Sequence, residues 1–206
     1  MVTLNRNSLT DTARPRLDRP DARSVLVVAT RGETPDLFAE PESWPAGLLS
    51  VTLLTGMDDD AGLLYTQWDE PDAEFLRQYG EPVEYQRYRS GVRDAAVPGC
   101  VVVVQVEFDG PDPQRQRQWV DTVFAALASE ETPAPGGISG HFHASTDGTR
   151  VLNYAEWTDA QAHRDALARS EHGTVGVSAK WQEVREFPGV RGSEVRRYQV
   201  ARSMSR

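Results

Sequence analysis

Residues 142–157 read FHASTDGTRVLNYAEW, and this order predicts a β-hairpin that runs into a helix. Apolar and polar residues alternate around Asp147-Gly148, a dipeptide that is frequent in hairpin turns. Successive strand residues point to opposite sides of a sheet, so Asn153 and Trp157 are predicted to lie on one face. A carboxamide and an indole, which both donate hydrogen bonds, therefore share one wall of the predicted sheet.

An earlier part of the chain carries a second version of this stretch, at a constant offset of 89 positions. A fixed offset indicates an internal repeat. The aligned pairs are Leu53 and Phe142, Asp58 and Asp147, Leu63 and Leu152, Tyr65 and Tyr154, and Trp68 and Trp157. The polar residues His141, His143 and Asn153 align with Thr52, Leu54 and Leu64. The exchange of polar residues for leucine predicts one working site, in the second copy.

The length of the turn decides whether the histidines join the wall of Asn153. A two-residue loop at 147–148 sends His141 and His143 to the opposite face. A three-residue loop at 146–148, closed by a left-handed glycine bulge, pairs His141 with Asn153 and brings the polar groups together. Both loops suit Asp-Gly. We expect the three-residue loop, because it collects the polar side chains on one wall.

The chain is predicted to contain two α+β units, each in the order β-α-β-β-α-β. The first has strands at 25–29, 47–56, 62–68 and 83–88, a short helical segment within 34–45 and a helix at 71–79. The second has strands at 100–108, 138–145, 149–157 and 181–187, an edge strand at 194–200, and helices that begin near residues 112 and 158. This is the ferredoxin-like order.

The predicted domain limits follow from this order. Residues 1–22 are polar and aperiodic and are predicted to be a disordered tail. Residues 23–97 form a degenerate N-terminal ferredoxin-like unit, and residues 98–206 form the unit that carries the site. Helices cover only one face of each sheet, so we expect the two tandem units to pack sheet to sheet, as an intramolecular dimeric α+β barrel. This pseudo-dimer is expected either as a monomer or as a further dimer.

Composition excludes several classes of function. A net charge of −9 argues against a nucleic acid or an anionic membrane surface as partner. The apolar runs are of strand length and too short to span a bilayer. Residues 1–22 contain no apolar segment typical of a secretory signal, so a cytoplasmic protein is expected. A single cysteine, Cys100, leaves no cysteine cluster for a metal.

The predicted wall suits a flat fused-ring ligand. Asn153 and Trp157 lie about 13 Å apart along the strand, so they can grip such a ligand at two points and donate to its carbonyl or phenolate oxygen. A histidine can take up a proton near neutral pH, which is a role for His143, with His141 beside it or in a structural role. His163, early in the next helix, can face the same cleft. An alternative is a metal site of all three histidines, but no carboxylate accompanies them and we predict no metal.

His143, Asp147-Gly148, Asn153-Tyr154 and Trp157 at these spacings resemble the antibiotic biosynthesis monooxygenase family, above all its anthrone oxygenases. The resemblance implies a ferredoxin-like enzyme that pairs through its sheets and oxidises anthrones to quinones with O₂, without metal or flavin. It assigns catalysis to Asn153, Trp157 and His143. In place of a family tyrosine on the following helix this chain has His163. The nearest candidate for a family arginine on the fourth strand is Arg185.

Two functions remain open from the sequence. The first is a cofactor-independent monooxygenase that oxidises an anthrone-type polyketide to a quinone, with O₂ as co-substrate and no other cofactor. The second is a non-catalytic or cyclase-like module that binds an aromatic polyketide in the same cleft, since the first copy lacks the polar set.

Overall fold

The computed structural model describes residues 10–31, 38, 44–170 and 172–206, which form two compact units. Unit 1 contains the described residues of 1–86 and 199–206, and unit 2 contains the described residues of 87–198. The units therefore do not divide at residues 97 and 98, where the sequence predicted a boundary. Strand β5, Val83–Val92, begins in unit 1 and ends in unit 2, and strand β9, Val190–Ser205, begins in unit 2 and ends in unit 1.

Unit 1 is a ferredoxin-like sheet. Its elements before β5 are β1 at Thr10–Thr12, β2 at Ser24–Arg31, β3 at Leu48–Gly56, β4 at Ala61–Trp68, helix α1 at Ala73–Leu76 and a 3₁₀ helix at Arg77–Tyr79. Strand β2 pairs antiparallel with β4 and β5, and β3 pairs antiparallel with β4. The order β5-β2-β4-β3 is that of the ferredoxin-like fold. The predicted helical segment within 34–45 lies mostly outside the described residues.

Unit 2 has the same strand order with fuller helices. Its elements before β9 are β6 at Cys100–Phe108, α2 at Pro113–Ala128, β7 at Gly137–Ser145, β8 at Arg150–Trp157, α3 at Ala160–Ala168 and α4 at Trp181–Arg185. Strand β6 pairs antiparallel with β8 and β9, and β7 pairs with β8. The order β9-β6-β8-β7 confirms the ferredoxin-like α+β prediction for this unit. Sheet-to-sheet packing of the two units stays a prediction.

Local sequence explains the main elements of unit 2. The β-branched run of β6 favours a strand. The Asp112 carboxylate accepts hydrogen bonds from the N–H groups of Gln114 and Arg115, both at 3.0 Å, and so caps the start of α2. The buried face of α2 packs on one side of the sheet, against residues such as Phe142 and Val151. The core of the unit therefore lies between the helices and this face.

The predicted strand at 181–187 is wrong, since residues 181–185 are helix α4. Trp181 and Val184 are buried while the residues between them are exposed, which is a helical spacing and not strand alternation. The Trp181 indole also donates to Glu130 at 2.8 Å, which fixes this segment beside α2. The fourth strand of the unit is β9, which is longer than the predicted edge strand at 194–200.

The predicted disordered tail is wrong for residues 10–22, and residues 1–9 lie outside the described part. Strand β1 pairs with the end of β9, with Thr10 opposite Ser205. Leu17 and Arg19 are buried, and the Arg19 guanidinium donates to the Leu49 carbonyl at 2.9 Å. A polar composition hid these contacts, because they depend on residues distant in sequence.

Candidate functional site

The β7–β8 hairpin has a different register from the expected one. His143 lies opposite Leu152, and Asn153 lies opposite Phe142. Residues 146–149 connect the strands, and Gly148 adopts a left-handed φ of +76°. The predicted three-residue loop, and with it the pairing of His141 with Asn153, is therefore wrong.

Hydrogen bonds to one carboxylate stabilise this turn. Asp147 Oδ1 accepts from the Ser145 hydroxyl at 2.6 Å, from the Thr149 N–H at 2.9 Å and from the Thr149 hydroxyl at 2.8 Å. Burial alone would raise the pKa of the Asp147 carboxyl, but these hydrogen bonds outweigh it and lower the pKa. Ionised Asp147 thus stabilises a four-residue connection between the two strands. The Asp-Gly dipeptide suits this connection and shorter loops alike, so the sequence does not distinguish them.

The register separates the predicted site residues into two groups. Val151, Ala155 and Trp157 pack on the helix side of the sheet, and alternation places Asn153 there with them. His141 and His143 lie on the opposite side. The prediction that all four polar groups share one wall is therefore wrong. Of the four, only the Asn153 carboxamide and the Trp157 indole lie on the helix side.

His141 belongs to a polar chain on the opposite side of the sheet. Its Nδ1 lies 3.0 Å from the Ser90 hydroxyl and its Nε2 lies 3.2 Å from the Ser139 hydroxyl. Ser139 donates its one proton to Glu156 Oε2 at 2.6 Å, so it accepts from the Nε2–H of His141. Both ring nitrogens are therefore engaged with protein groups. His141 therefore does not lie on the side of Asn153, and its contacts favour the structural role that the sequence left open.

His143 is fully buried on the same side as His141. Loss of solvation, followed in size by repulsion from His141, lowers the pKa of His143 from 6.5 to about 3. The imidazole is therefore neutral at physiological pH. The assignment of His143 to proton transfer beside Asn153 is wrong, because it neither faces that side nor takes up a proton near neutral pH.

The Asn153 carboxamide is an unusual group on the helix side. Its Oδ1 is buried and has no hydrogen-bond partner within the described residues. A buried polar atom without a partner costs about 1–3 kcal/mol, so this oxygen calls for a partner such as a water molecule or a ligand. Gly140 on the neighbouring strand faces it, and a Cβ there would come within 3.4 Å of Oδ1.

The aromatic rings of Trp157 and His163 contact each other on the helix side of the sheet. Their ring centroids are 5.0 Å apart and their planes are inclined at 68°, an edge-to-face contact. The Asp159 carboxylate fixes His163 by accepting from the Ala162 N–H at 2.8 Å, which begins α3. The indole N–H of Trp157 donates no hydrogen bond to any residue in the part of the chain that is described. His163 thus lies on the helix side of the sheet beside Trp157, and its place in a ligand cleft stays a prediction.

Small side chains surround Trp157. The cluster that contains it has no other member larger than valine: Cys100, Val102, Ala155, Ala160 and Ala166 are its buried members, and Val104, Ala134, Ala162 and Val175 pack against it. The indole of Trp157 is therefore bordered by alanine and valine side chains and by the His163 ring.

Two further predictions are corrected by position. Arg185 is the last residue of α4 and not part of a strand. Its side chain is exposed, and the structure does not bring it to Asn153 or Trp157. The alternative of a three-histidine metal site is wrong, because His163 lies on the helix side and His141 and His143 do not. Among residues 10–31, 38, 44–170 and 172–206, no group of three His, Cys, Asp or Glu side chains has an arrangement that could hold a metal ion.

The sequence did not reveal a cavity of about 450 Å³ at the end of α2. Its lining includes Ser129, Glu130 and Glu131 after that helix, Ala166 and Arg169 at the end of α3, and the segment 175–178. The segment between α3 and α4 has no periodic pattern, so no sequence signal placed it against α2.

Comparisons with known proteins agree with the fold. Residues 101–175 match the family model described as antibiotic biosynthesis monooxygenase. The chain resembles the crystal structure of an anthrone oxidase-like protein, with a TM-score of 0.67 and 19% identity over 90% of this chain and 94% of that one. A search of curated proteins finds no match.

Two more solved structures share the fold at lower similarity. A putative monooxygenase from Lactobacillus acidophilus has a TM-score of 0.50 and 12% identity over 87% of this chain and 94% of that one. A regulator of staphylococcal pathogenesis has a TM-score of 0.54 and 11% identity over 85% of this chain and 99% of that one. At these identities the likeness establishes a shared fold.

In the described part of the chain, no helix is long and apolar enough to cross a membrane.

Proposed function

We propose that this chain, whose residues 101–175 match the antibiotic biosynthesis monooxygenase model, is a cofactor-independent monooxygenase that oxidises an anthrone-type aromatic to a quinone with O₂. The observation that carries the proposal is the Asn153–Trp157 pair. These residues share the helix side of β8, next to small side chains, and neither side chain makes a hydrogen bond within the described residues.

The reaction needs an activated methylene and O₂. Loss of a proton from the methylene gives an anion whose charge lies largely on the carbonyl oxygen. The carbon of this anion bonds to O₂ and, with one proton, gives a hydroperoxide. Loss of water from the hydroperoxide converts the methylene into a second carbonyl, so one O₂ becomes one quinone oxygen and one water. The four electrons that reduce O₂ come from the substrate.

Asn153 and Trp157 stabilise the anion. Rotation of the Asn153 amide by half a turn presents its NH₂ group where Oδ1 now lies, so it can donate to the substrate oxygen. The Trp157 N–H is a donor at a second point of contact, about 13 Å further along the strand. Removal of one such donor costs about 3–4 kcal/mol in comparable sites. With His143 on the opposite side of the sheet, we assign the assistance of proton movement to His163, which lies on the helix side beside Trp157.

An oxygen-electrode assay tests the proposal. Dithranol is an anthrone, and its uptake of O₂ is measured above the uncatalysed rate, with and without EDTA. We expect metal-independent turnover that falls by at least about tenfold in Asn153→Ala and in Trp157→Phe. Turnover that EDTA abolishes, or that both variants retain in full, would contradict the proposal.

The second candidate is a non-catalytic module that binds an aromatic compound. The observation that favours it is unit 1, where the same hairpin keeps its register with leucine at the position of Asn153. Quenching of tryptophan fluorescence by anthraquinone, without O₂ uptake from any anthrone, would support this module instead of the oxygenase.

A further inference from the structure

The strand pairing shows which residues surround Asn153 on the helix side of the sheet. Asn153 lies opposite Phe142 of β7 and opposite Val104 of β6. Val104 in turn lies opposite Val195 of β9. Residues directly opposite each other in a sheet point to the same side, so these four residues form one row across four strands. Neighbouring strands are about 4.8 Å apart, so Val195 lies about 10 Å across the sheet from Asn153.

Exposure to solvent increases along this row. Phe142 is buried beneath α2, Asn153 and Val104 are partly buried, and Val195 is 44% exposed. The helix-side residues of β8 and β6 on either side of the row are all buried: Val151, Ala155, Val102 and Val106. The cover of the sheet is therefore incomplete over Asn153 and Val104, and this gap opens at β9.

The gap coincides with the change from one buried cluster of unit 2 to the other. Along β8, Val151 belongs to the cluster that packs on α2, and Ala155 belongs to the cluster that packs on α3. Asn153 lies between these two residues. Val104 in the sheet and Val175 after α3 pack against both clusters. The two helices thus cover the sheet on either side of Asn153, and the row of Asn153 is covered least.

The gap has an apolar floor and a polar rim. Val104 and Val195 form the floor, and the helix-side neighbours of Val195 along β9 are Ser193 and Arg197, which lie opposite buried valines of β6. Ser193 is exposed and Arg197 is partly buried. Apolar walls with a few polar groups are typical of sites for small organic molecules. A ligand whose oxygen lies at Asn153 can therefore extend across the strands and cover the two valines.

We propose that the substrate carries an apolar group beyond its aromatic core, either an alkyl chain or a further ring, and that this group crosses Val104 and packs on Val195. The inference rests on the proposed function for the identity of the core. Val195 is a specificity-determining residue, because it is the exposed apolar end of the floor. Each CH₂ group that it shields from water strengthens binding by up to about fourfold.

Equilibrium binding of two quinones tests the proposal without turnover. Anthraquinone and 2-ethylanthraquinone are titrated by quenching of tryptophan fluorescence, and the wild-type protein should bind the ethyl compound about tenfold more tightly. Val195→Asp should remove most of this preference and leave the affinity for anthraquinone within about twofold. Val97→Asp is the matched control, because Val97 is 81% exposed between β5 and β6, and it should keep the preference. Equal affinities of the wild type for both quinones, or a preference that survives Val195→Asp, would overturn the inference.

Oxygen uptake from anthrone and 2-ethylanthrone separates this inference from the proposed reaction. We expect a lower KM for the ethyl compound, which Val195→Asp raises about tenfold with little change in kcat. A quinone preference that depends on Val195, without O₂ uptake from either anthrone, would retain the contact and reject the oxygenase. Uptake from both anthrones with equal KM would reject the contact and leave the oxygenase.

Sedimentation velocity examines a different occupant of the exposed valine, a second copy of the chain. We expect Val195→Asp to have the same oligomeric state as the wild type. A wild-type dimer that Val195→Asp converts into a monomer, with both quinone affinities unchanged, would assign Val195 to a contact between copies and overturn the inference.

Discussion

The β3–β4 hairpin of unit 1 and the β7–β8 hairpin of unit 2 share one pattern of strand pairing and differ in many side chains. Both keep the same pairing at the offset of 89, and both have a register shift at the matching place, Leu48/Ser50 and Gly137/Ser139. Ser50 donates to Gln67 at 2.6 Å in unit 1, as Ser139 donates to Glu156 at 2.6 Å in unit 2. The backbone therefore does not distinguish a site from a filled core.

The difference lies on the helix side of each hairpin. In unit 1, Leu64 is fully buried, and the Trp68 indole donates to the Thr66 hydroxyl at 2.7 Å. In unit 2, Asn153 replaces this leucine and Ala155 replaces the threonine, so the carboxamide and the indole N–H are both without such partners. Phe38, Trp44 and Leu76 fill the core around Trp68, whereas alanines surround Trp157. The comparison shows that unit 2 lacks the large side chains and the indole hydrogen bond that fill this position in unit 1.

Replacement of Asn153 by the leucine of unit 1 should have the largest effect on activity. Asn153→Leu gives unit 2 the residue of unit 1, and we expect kcat for an anthrone to fall about 100-fold, because one donor to the anion is lost. The free energy of unfolding should stay equal or rise, since a buried acceptor without a partner is removed. O₂ uptake and urea unfolding measure the two quantities. Full activity in this variant would mean that the carboxamide does not act on the substrate.

The reverse substitution tests whether the apolar core of unit 1 tolerates a polar side chain at the matching position. Leu64→Asn buries a carboxamide in an apolar core, and we expect the free energy of unfolding to fall by about 3 kcal/mol. The kcat for an anthrone should stay within about twofold of the wild type, since unit 1 carries no part of the proposed site. Urea unfolding and O₂ uptake are measured on the same preparation. A variant as stable as the wild type would show that this side of unit 1 can hydrate or accommodate a polar group.

A third exchange concerns the indole. Ala155→Thr places a hydroxyl where Thr66 accepts from Trp68 in unit 1, so the Trp157 N–H should bind the new hydroxyl instead of the substrate. We expect kcat/KM to fall about tenfold, which corresponds to about 1.4 kcal/mol. Thr66→Ala is the matched control, and it should lower stability by about 1–2 kcal/mol without a change in kcat/KM. A loss of kcat/KM in the control as large as in Ala155→Thr would argue against a specific role of the Trp157 N–H.

The smallest expected effect on activity concerns a residue on the other side of the sheet, whose effect on stability depends on pH. His143 has a pKa of about 3 in the folded chain and an ordinary value of 6.5. As the pH falls below about 6.5, the unfolded chain takes up a proton that the folded chain does not, so stability is lost at up to about 1.4 kcal/mol per pH unit. His143→Leu, which installs the residue of Leu54, should remove this part of the slope.

Urea unfolding of both proteins at about pH 7 and pH 4.5 measures the effect of His143→Leu. The difference in stability between variant and wild type should shift in favour of the variant at the lower pH. Parallel losses in the two proteins would show that His143 titrates alike in the folded and unfolded chain. Activity at neutral pH should be unaffected, because the imidazole lies on the opposite side from Asn153.

Much of unit 2 could be predicted because its signals are local. Strand alternation placed Asn153 and Trp157 on one face, the cap at Asp112 located α2, and the constant offset revealed the second hairpin. The histidines could not be placed in this way. Loops of two and three residues both suit Asp-Gly, and the observed register depends on the hydrogen bonds that Asp147 accepts within the folded turn.

The sequence by itself determined the order of the strands and helices from β2 to α3 and the pair of donors on β8, because periodicity and residue type act over a few neighbouring positions. Only the tertiary structure decided which side each histidine faces, that residues 181–185 are helical, and that a cavity lies beside Arg169. These features depend on hairpin register and on contacts between residues far apart in the chain, such as Glu130 and Trp181. A one-residue change of register reverses every side chain of a strand, so no local pattern can fix it.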